Sequence, residues 1–155
     1  MKNTYDDIEE LLKDMRSDIE DTLSEEVFEE IRDIELEHIA EDVIASYHPK
    51  VYERRDVGGI EDGRNIIGEV NNMELVVDNV TPFNSGYFTW NNGNNLADLI
   101  NEGEGGASRL YYDYYGGEFL NPRPFLDNTK EEIDKTNRVD NALEKGMRKR
   151  GYNIK

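Results

Sequence analysis

The first 47 residues combine a large negative charge with a regular spacing of apolar side chains. They hold 17 acidic and 4 basic residues, a net charge of −13. Apolar residues recur at steps of three and four from Ile8 to Leu23, and a helical pattern continues from Val27 to Tyr47. That period places them on one stripe of a helix, with carboxylates on the other face. The sequence therefore predicts an acidic helical N-terminal segment over residues 1–48.

Capping patterns predict where these helices begin and end. Thr4 followed by Asp7 has the spacing of a capping box, and Ser24 precedes two glutamates, as a second N-cap would. Pro49 cannot continue a helix. Two helices that meet near Ser24 are favoured over one long helix with a kink there.

The middle of the chain changes to strand and turn patterns. Residues 65–70 and 73–80 are predicted strands, joined by a turn at Asn71-Asn72. A short helix is predicted over Leu96–Glu102, and Tyr111–Tyr115 has the composition of a further strand. A last helix is predicted from an N-cap at Thr129, which has a glutamate at the capping-box spacing, to Gly151.

This order of elements predicts an α+β fold. We expect a small antiparallel β-sheet packed with helices, a long acidic helical N-terminus and a C-terminal helix. The length of 155 residues suits one domain. Residues 1–48 would be its acidic helical segment, and residues 49–155 the α+β core of the same domain.

Composition excludes several kinds of protein. The net charge of −17 disfavours binding along the outside of nucleic acid or on an anionic membrane, because both need clustered cations. The absence of cysteine excludes disulfides, zinc thiolate sites and thiol nucleophiles. No signal peptide follows the first residues, and no apolar run is long enough to cross a membrane.

Candidate chemical sites are weak. His38 has Asp42 four residues later, but no second histidine at that spacing, so a helical metal pair is not formed. The Gly103–Gly106 loop lacks the lysine and the following helix of a phosphate-binding loop. The carboxylates fall on predicted solvent faces. We therefore expect no enzyme activity, no metal and no cofactor.

An aromatic cluster in the second half of the chain predicts an interface. Its members alternate with glycines and asparagines. They are Tyr87, Phe88, Trp90, Tyr111, Tyr112, Tyr114, Tyr115 and Phe119. Two consecutive tyrosines in a strand cannot both point to one face, so part of the cluster should reach the surface, although other members could belong to the core. Tyr and Trp are favoured at subunit interfaces.

Several short motifs occur in an order that resembles the tail-completion, or head–tail joining, family of long-tailed bacteriophages. Tyr52-Glu53-Arg54-Arg55 and Gly58-Gly59-Ile60 precede the first strand. Leu96–Gly103 ends in a Glu-Gly loop. About twenty residues later, Asn121–Leu126 carries Pro-Arg-Pro-Phe-Leu at the start of the last helix. The resemblance covers roughly residues 40–155.

The resemblance departs from the family pattern at three places. The family often has Arg-Thr-Gly-x-Leu where this chain has residues 55–60, and a Thr where Glu104 and Gly105 follow the Glu-Gly loop. The first 40 residues are also longer and more acidic. The resemblance therefore leaves open whether the chain is a tail terminator, a completion factor or a neck protein.

The resemblance implies a structural virion protein, made in the host cytoplasm, at the head–tail joint or tail end. Its partners would be further copies in a hexameric ring, neck proteins on the portal side and tail tube proteins, with DNA passing through without specific binding. The residues that we expect at interfaces are Arg54, Arg55, Tyr87, Trp90, Glu102, Gly103, Tyr111, Tyr112, Tyr114, Tyr115 and Phe125.

Individual members of this set have alternative interpretations. Arg54 and Arg55 are rare cations in an acidic protein, so we expect carboxylate partners on the same chain or on a neighbour. Phe125 follows two prolines that hold the chain extended, and packing within its own chain is the simpler role. The acidic helices would face the channel or dock a partner.

Charge also differs between the two ends of the chain. Residues 129–155 hold 5 acidic and 8 basic side chains, against the net −13 of residues 1–47. Head-to-tail contacts between copies would use this difference, and two independently solvated helix faces are the other interpretation.

A second function class fits the same acidity. An acidic protein of this size could mimic DNA and inhibit a nucleic-acid-binding enzyme, with rows of carboxylates in the place of phosphates. Such a mimic works as a monomer or dimer, whereas a ring needs many copies. Mimicry does not explain the Gly-rich and Tyr-rich middle.

Overall fold

The computed structural model describes residues 7–46, 48, 54–82, 95–103 and 121–154. One continuous helix of 37 residues opens the described chain. Asp7 caps it, and the Asp7 carboxylate accepts a hydrogen bond of 3.0 Å from the backbone N–H of Glu9. The predicted cap at Thr4 is therefore wrong, because the helix begins after Asp7. The expectation of two helices that meet near Ser24 is also wrong.

The long helix changes pitch twice instead of breaking. It consists of α1 (Ile8–Thr22), a π-helical segment (Leu23–Val27), α2 (Phe28–His38) and a second π-helical segment (Ile39–Ile44). Ser24 lies inside the first π segment, and its hydroxyl donates to the carbonyl of Asp21 at 3.0 Å. Ser24 is thus an interior residue rather than a cap.

The wider turns keep the buried side chains in line. Thr22 and Val27 are both buried and lie five residues apart, a step that rotates a side chain by about 140° in a regular α-helix. The first π segment lies between them, and because a π turn holds more residues, the two side chains return to the same side of the helix.

The predicted hairpin is confirmed. Strands β1 (Ile66–Asn71) and β2 (Glu74–Asn79) form a two-stranded antiparallel sheet. Asn72 and Met73 form the turn with φ of 51° and 63°, which is the left-handed conformation that a type I′ turn requires. The turn lies one residue later than predicted.

The predicted short helix is also confirmed, as α3 (Leu96–Glu102). The side chain of Asn95 caps it and accepts a hydrogen bond of 2.7 Å from the backbone N–H of Asp98. Gly103 ends it with φ of 71°, and its N–H donates to the carbonyl of Leu99 at 3.1 Å. Glycine suits this left-handed position because it has no Cβ.

The C-terminal region is divided differently from the prediction. Two helices, α4 (Phe125–Lys135) and α5 (Arg138–Lys149), replace the single helix predicted from Thr129. Thr129 is buried inside α4, and its hydroxyl donates to the carbonyl of Phe125 at 2.7 Å. Gly151 follows α5 with φ of 93°, and this end was predicted correctly.

The described elements confirm the α+β fold class, and the chain divides into two compact units. The first unit contains Met1–Asp33, Gly68–Val77 and Ile133–Lys155, and the second contains Ile34–Ile67 and Asp78–Glu132. The division of one domain at residue 48 stays a prediction. None of the helices in the described ranges has the length and apolar composition needed to cross a bilayer.

Within the first unit, α5 packs closely against the N-terminal helix. Thr22 is fully buried, and its hydroxyl lies 3.4 Å from the sulfur of Met147. Gly146 faces the same place. A Cβ added at Gly146 would collide with the methyl group of Thr22 and lie 2.7 Å from a carboxylate oxygen of Glu26. The absence of a side chain at residue 146 therefore permits this approach.

Replacing Gly146 by alanine should destabilise the protein. The added methyl group meets a buried, β-branched side chain that cannot move aside cheaply, so we expect a loss of about 1–3 kcal/mol despite the better helix propensity of alanine. Urea denaturation of Gly146→Ala measures it. Asn141→Ala, an exposed change on the same helix, should shift the free energy of unfolding by less than about 0.5 kcal/mol. Equal stability of Gly146→Ala and the natural protein would contradict this packing.

Candidate functional site

Glu26 lies between two cations of the C-terminal region in the first unit. One of its carboxylate oxygens accepts a hydrogen bond of 2.8 Å from Nζ of Lys149, and the other accepts one of 2.9 Å from Nη1 of Arg150. Arg150 also donates to Glu25 at 2.8 Å. The side chains of Glu26 and Arg150 are only 12% and 15% exposed, so this cluster is largely shielded from solvent.

A further ion pair ties the start of α5 to the same helix. Nε of Arg138 donates to a carboxylate oxygen of Glu30 at 2.6 Å. The spacing of Glu26 and Glu30 is one helical turn, and they meet cations from opposite ends of α5. The acidic helix and the basic helix of one chain thus neutralise part of each other's charge.

The pKa of Glu26 reflects this arrangement. Burial alone would raise it, but hydrogen bonds from Lys149 and Arg150, together with their positive charges, outweigh burial and lower the pKa. Glu26 therefore remains ionised in the folded protein.

A groove of about 780 Å³ lies between the two helices in this unit. Carboxylates line one side and cations line the other. The acidic side includes Glu25, Glu29 and Asp33, which are exposed and four residues apart, so they form one row along the helix. Lys145 and Lys149 lie on the basic side. The sequence shows that one end of the chain is acidic and the other basic, but it does not show that the two ends pair.

In the second unit, the two strongest motifs of the resemblance lie side by side. The backbone N–H of Arg123 donates to the carbonyl of Ile100 at 3.0 Å. The side-chain oxygen of Asn101 accepts a hydrogen bond of 3.0 Å from the backbone N–H of Leu126. The helix that ends in Glu102-Gly103 is thereby bound to the Pro-Arg-Pro-Phe-Leu segment. Sequence order alone did not show this contact.

The predicted interface residues of the second unit have partners inside the chain. Nη2 of Arg54 donates to the carbonyl of Ile44 at 3.2 Å, and Nη2 of Arg55 donates to the carbonyl of Pro82 at 2.9 Å. Phe125 is fully buried, as its alternative role predicted, whereas Glu102 is exposed. A role at an interface stays a prediction for all of these residues.

The other predicted interface residues belong to the aromatic cluster. Tyr87, Trp90, Tyr111, Tyr112, Tyr114 and Tyr115 lie outside the described residues. The predicted strand over Tyr111–Tyr115 lies outside them too.

His38 links two helical elements of the second unit. Its Nε2 lies 3.0 Å from a carboxylate oxygen of Glu132, and its Nδ1 lies 3.3 Å from one of Asp42. Asn128 donates to the same oxygen of Asp42 at 2.8 Å. Both ring nitrogens face carboxylates, which leaves neither directed at a separate metal position. Among the described residues, no group of three or more His, Cys, Asp or Glu is arranged to hold a metal ion.

Glu35 belongs to a buried polar network that sequence analysis missed. It is 3% exposed, and its carboxylate accepts a hydrogen bond of 2.7 Å from the side chain of Asn79. The Asn79 oxygen in turn accepts hydrogen bonds from the backbone N–H and the hydroxyl of Thr81, at 3.1 and 2.6 Å. Burial, with a smaller contribution from the nearby charge of Asp78, raises the pKa of Glu35 against the effect of the Asn79 hydrogen bond.

Comparison with known proteins connects these features to a family. Residues 7–149 match the YomN family. The chain belongs to the YomN family. It is 35% identical over 115 residues to the SPbeta prophage-derived uncharacterized protein YomN of Bacillus subtilis (strain 168), covering 74% of this chain and 71% of that protein. No solved structure matches the chain.

Membership of the YomN family confirms the phage-derived origin that the resemblance implied. The match spans both the Glu26 cluster and the joined motifs, and it ends at Lys149. The head–tail function itself stays a prediction.

Removing the charge of Glu26 should destabilise this YomN-family protein near neutral pH. In Glu26→Gln, Lys149 and Arg150 lose a shared, shielded anion, and we expect a loss of about 1.5–3 kcal/mol. Because the pKa of Glu26 is lowered in the folded protein, the stability that its charge contributes is present above the unfolded pKa of about 4.3. That stability is lost as the pH falls through the folded pKa. Chemical denaturation between pH 3 and 7 should show that the unfolding free energies of Glu26→Gln and the natural protein converge in acid.

Glu29→Gln is the matched control for this test. Glu29 is one turn from Glu25 on the same helix, is 55% exposed and pairs with Arg32. Exposed pairs contribute little, so this change should stay below about 1 kcal/mol. Equal effects of the two substitutions would contradict a special role for Glu26.

Neutralising Glu35 should have the opposite pH dependence. Its folded pKa is raised, so the stability that it contributes is complete below the unfolded value and is lost as the pH rises through the folded pKa. Glu35→Gln keeps an oxygen that accepts from Asn79 and carries no charge. We expect its stability, relative to the natural protein, to increase as the pH rises from 4 to 8. Asp33→Asn, an exposed neighbour, is the control, and a difference independent of pH would contradict the prediction.

Proposed function

We propose that this chain is a structural protein of a tailed-phage particle and acts by assembly at or near the head–tail joint. In this proposal, copies form a ring, hexameric as the resemblance implies, between the portal-side neck proteins and the tail tube. The protein has no catalytic role, is made in the host cytoplasm and becomes part of the virion.

One observation carries the proposal beyond phage origin. The helix that leads into the Glu-Gly loop is bound to the Pro-Arg-Pro-Phe-Leu segment through Ile100, Asn101, Arg123 and Leu126. The order of these two motifs carries the resemblance to tail-completion proteins. A buried Phe125 anchors the second motif. Motifs that are hydrogen-bonded to each other can act as one structural unit, whereas surface loops that do not touch cannot. Membership of the prophage-derived YomN family supports the same assignment.

The charge of the protein suits a position around DNA. The net charge is −17, and the row formed by Glu25, Glu29 and Asp33 is exposed. A surface of like charge repels the phosphate backbone, so DNA can pass such a surface without adhering. The acidic row of the first unit is accordingly our candidate for a channel-facing surface.

The competing function, mimicry of DNA, is less well supported. A mimic presents free carboxylates to an enzyme, whereas Glu26 and Glu30 are turned towards the cations of α5. In the exposed row, Glu25 and Glu29 also pair with arginines of the same chain. The joined motifs of the second unit also have no role in mimicry.

Electron cryomicroscopy of particles of the phage that encodes this chain tests the proposal. We expect a ring of this chain between the portal complex and the tail tube. Deleting its gene should yield filled heads and separate tails, because the joint is not completed. A complete neck built from other chains, with this one absent, would overturn the proposal.

A pair of substitutions tests the role of the joined motifs. Asn101→Ala removes the acceptor for the backbone N–H of Leu126 and should lower the yield of joined particles in a complementation assay. Asp98→Ala, an exposed change on the same helix, should leave that yield unchanged. If both purified proteins fold and the two variants give equal yields of joined particles, the contact between the motifs is not needed for joining.

A further inference from the structure

The β-hairpin presents an unusually apolar exposed surface. Seven large apolar residues are exposed in the described ranges, and four of them lie between residues 67 and 80: Ile67, Met73, Val76 and Val80. The hairpin forms a sheet of only two strands. A two-stranded sheet is marginally stable unless a further strand or a helix packs on it. This concentration of exposed apolar side chains therefore indicates a surface that another element covers.

The covered and open faces of the hairpin differ. Gly68 lies on the inner face, where a Cβ would collide with the ring of Phe28. Side chains alternate along a strand, so Glu69 points to the opposite face. The two-residue turn places Glu69 opposite Val76, and Asn71 opposite Glu74. The outer face thus combines apolar surface with the carboxylates of Glu69 and Glu74, which form no ion pair within the described chain.

The complementary surface is on α5 of the first unit. Lys145 is exposed and forms no ion pair with any described residue. Arg148 is 58% exposed and pairs only locally, with Glu144 of the same helix. Lys149 remains 59% exposed although it binds Glu26. These three cations are within one turn of each other and give this end of α5 an exposed positive surface, in which Lys145 and Lys149 form the edge of the groove.

The hairpin and α5 are attached to different faces of the same helix. Gly68 meets Phe28, whereas Gly146 meets Thr22. Thr22 and Phe28 are six residues apart, a separation that places them on different faces of the helix. The hairpin and α5 of one copy therefore pack on different sides of this helix, and Glu69, Glu74, Lys145 and Arg148 are all exposed there. Two different faces that meet between copies make a head-to-tail contact, which can close into a ring.

We propose that the outer face of the hairpin in one copy docks on the exposed, basic face of α5, beside the groove, in a second copy. Glu69 and Glu74 meet Lys145 and Arg148, and Val76 and Met73 supply the apolar surface. The inference rests on the proposed ring function and names the contact that builds the ring. A helix on the open sheet face also covers apolar side chains that the described part of one chain leaves exposed.

A charge-swap experiment with the full chain tests the contact. The hairpin variant is Glu69→Lys with Glu74→Lys, and the helix variant is Lys145→Glu with Arg148→Glu. Each variant places like charges across the proposed contact, so its self-association should weaken by at least about tenfold. Mixed in equal amounts, the two variants restore opposite charges at every contact and should assemble nearly as well as the natural protein. Sedimentation equilibrium measures both.

A charge-matched control separates this contact from general repulsion. Lys13→Glu with Lys130→Glu changes the net charge by the same amount as the helix variant and lies outside both surfaces. This control should self-associate like the natural protein, and circular dichroism establishes that all variants are folded.

The outcomes distinguish this inference from the proposed function. If the natural protein assembles and both variants assemble equally well, the contact is overturned. It is also overturned if the mixture of variants fails to reassemble. In either case the position of the protein in the neck is still decided by the particle images. A natural protein that stays monomeric at every concentration also overturns the contact. Particle images in which this chain is absent from the neck overturn the proposed function itself.

Discussion

The contact between α5 and the N-terminal helix is the interaction on which the first unit depends. Gly146 permits the approach to Thr22, and that approach brings Lys149 and Arg150 to Glu26. Packing and charge are coupled here, because the shielded carboxylate needs both cations as hydrogen-bond donors. A bulkier residue at 146 would therefore disturb an ion cluster as well as an apolar contact.

The first change of pitch in the long helix solves a problem of spacing. Buried residues five apart, such as Thr22 and Val27, cannot lie on one face of a regular α-helix. Wider turns restore their alignment without ending the helix. Thr22 is polar and does not belong to the apolar stripe, and Ser24 beside two glutamates resembles an N-cap, so local propensity favoured a break. Packing of the apolar face overrode that preference.

The second unit combines ion pairs with a buried polar network. Glu35, Asn79 and Thr81 form a buried network, and His38 joins Asp42 to Glu132. Glu35 meets Asn79 and His38 meets Glu132 across long stretches of sequence, whereas Thr81 and Asp42 bond residues only two and four positions away. Networks of this kind specify one arrangement of the surrounding elements, because leaving any buried member unpaired costs free energy. They hold the elements that carry the two joined motifs.

The sequence by itself determined the helical N-terminus, the hairpin, α3 and the end of α5, because local periodicity, turn residues and glycine positions suffice for such elements. It also indicated phage origin through the order of its motifs. Only the tertiary structure decided that Thr129 is an interior residue, that Glu35 is buried, and that the acidic and basic ends of the chain meet at Glu26. These facts depend on contacts between residues far apart in sequence, and no local pattern encodes which distant carboxylate a given lysine or arginine will meet.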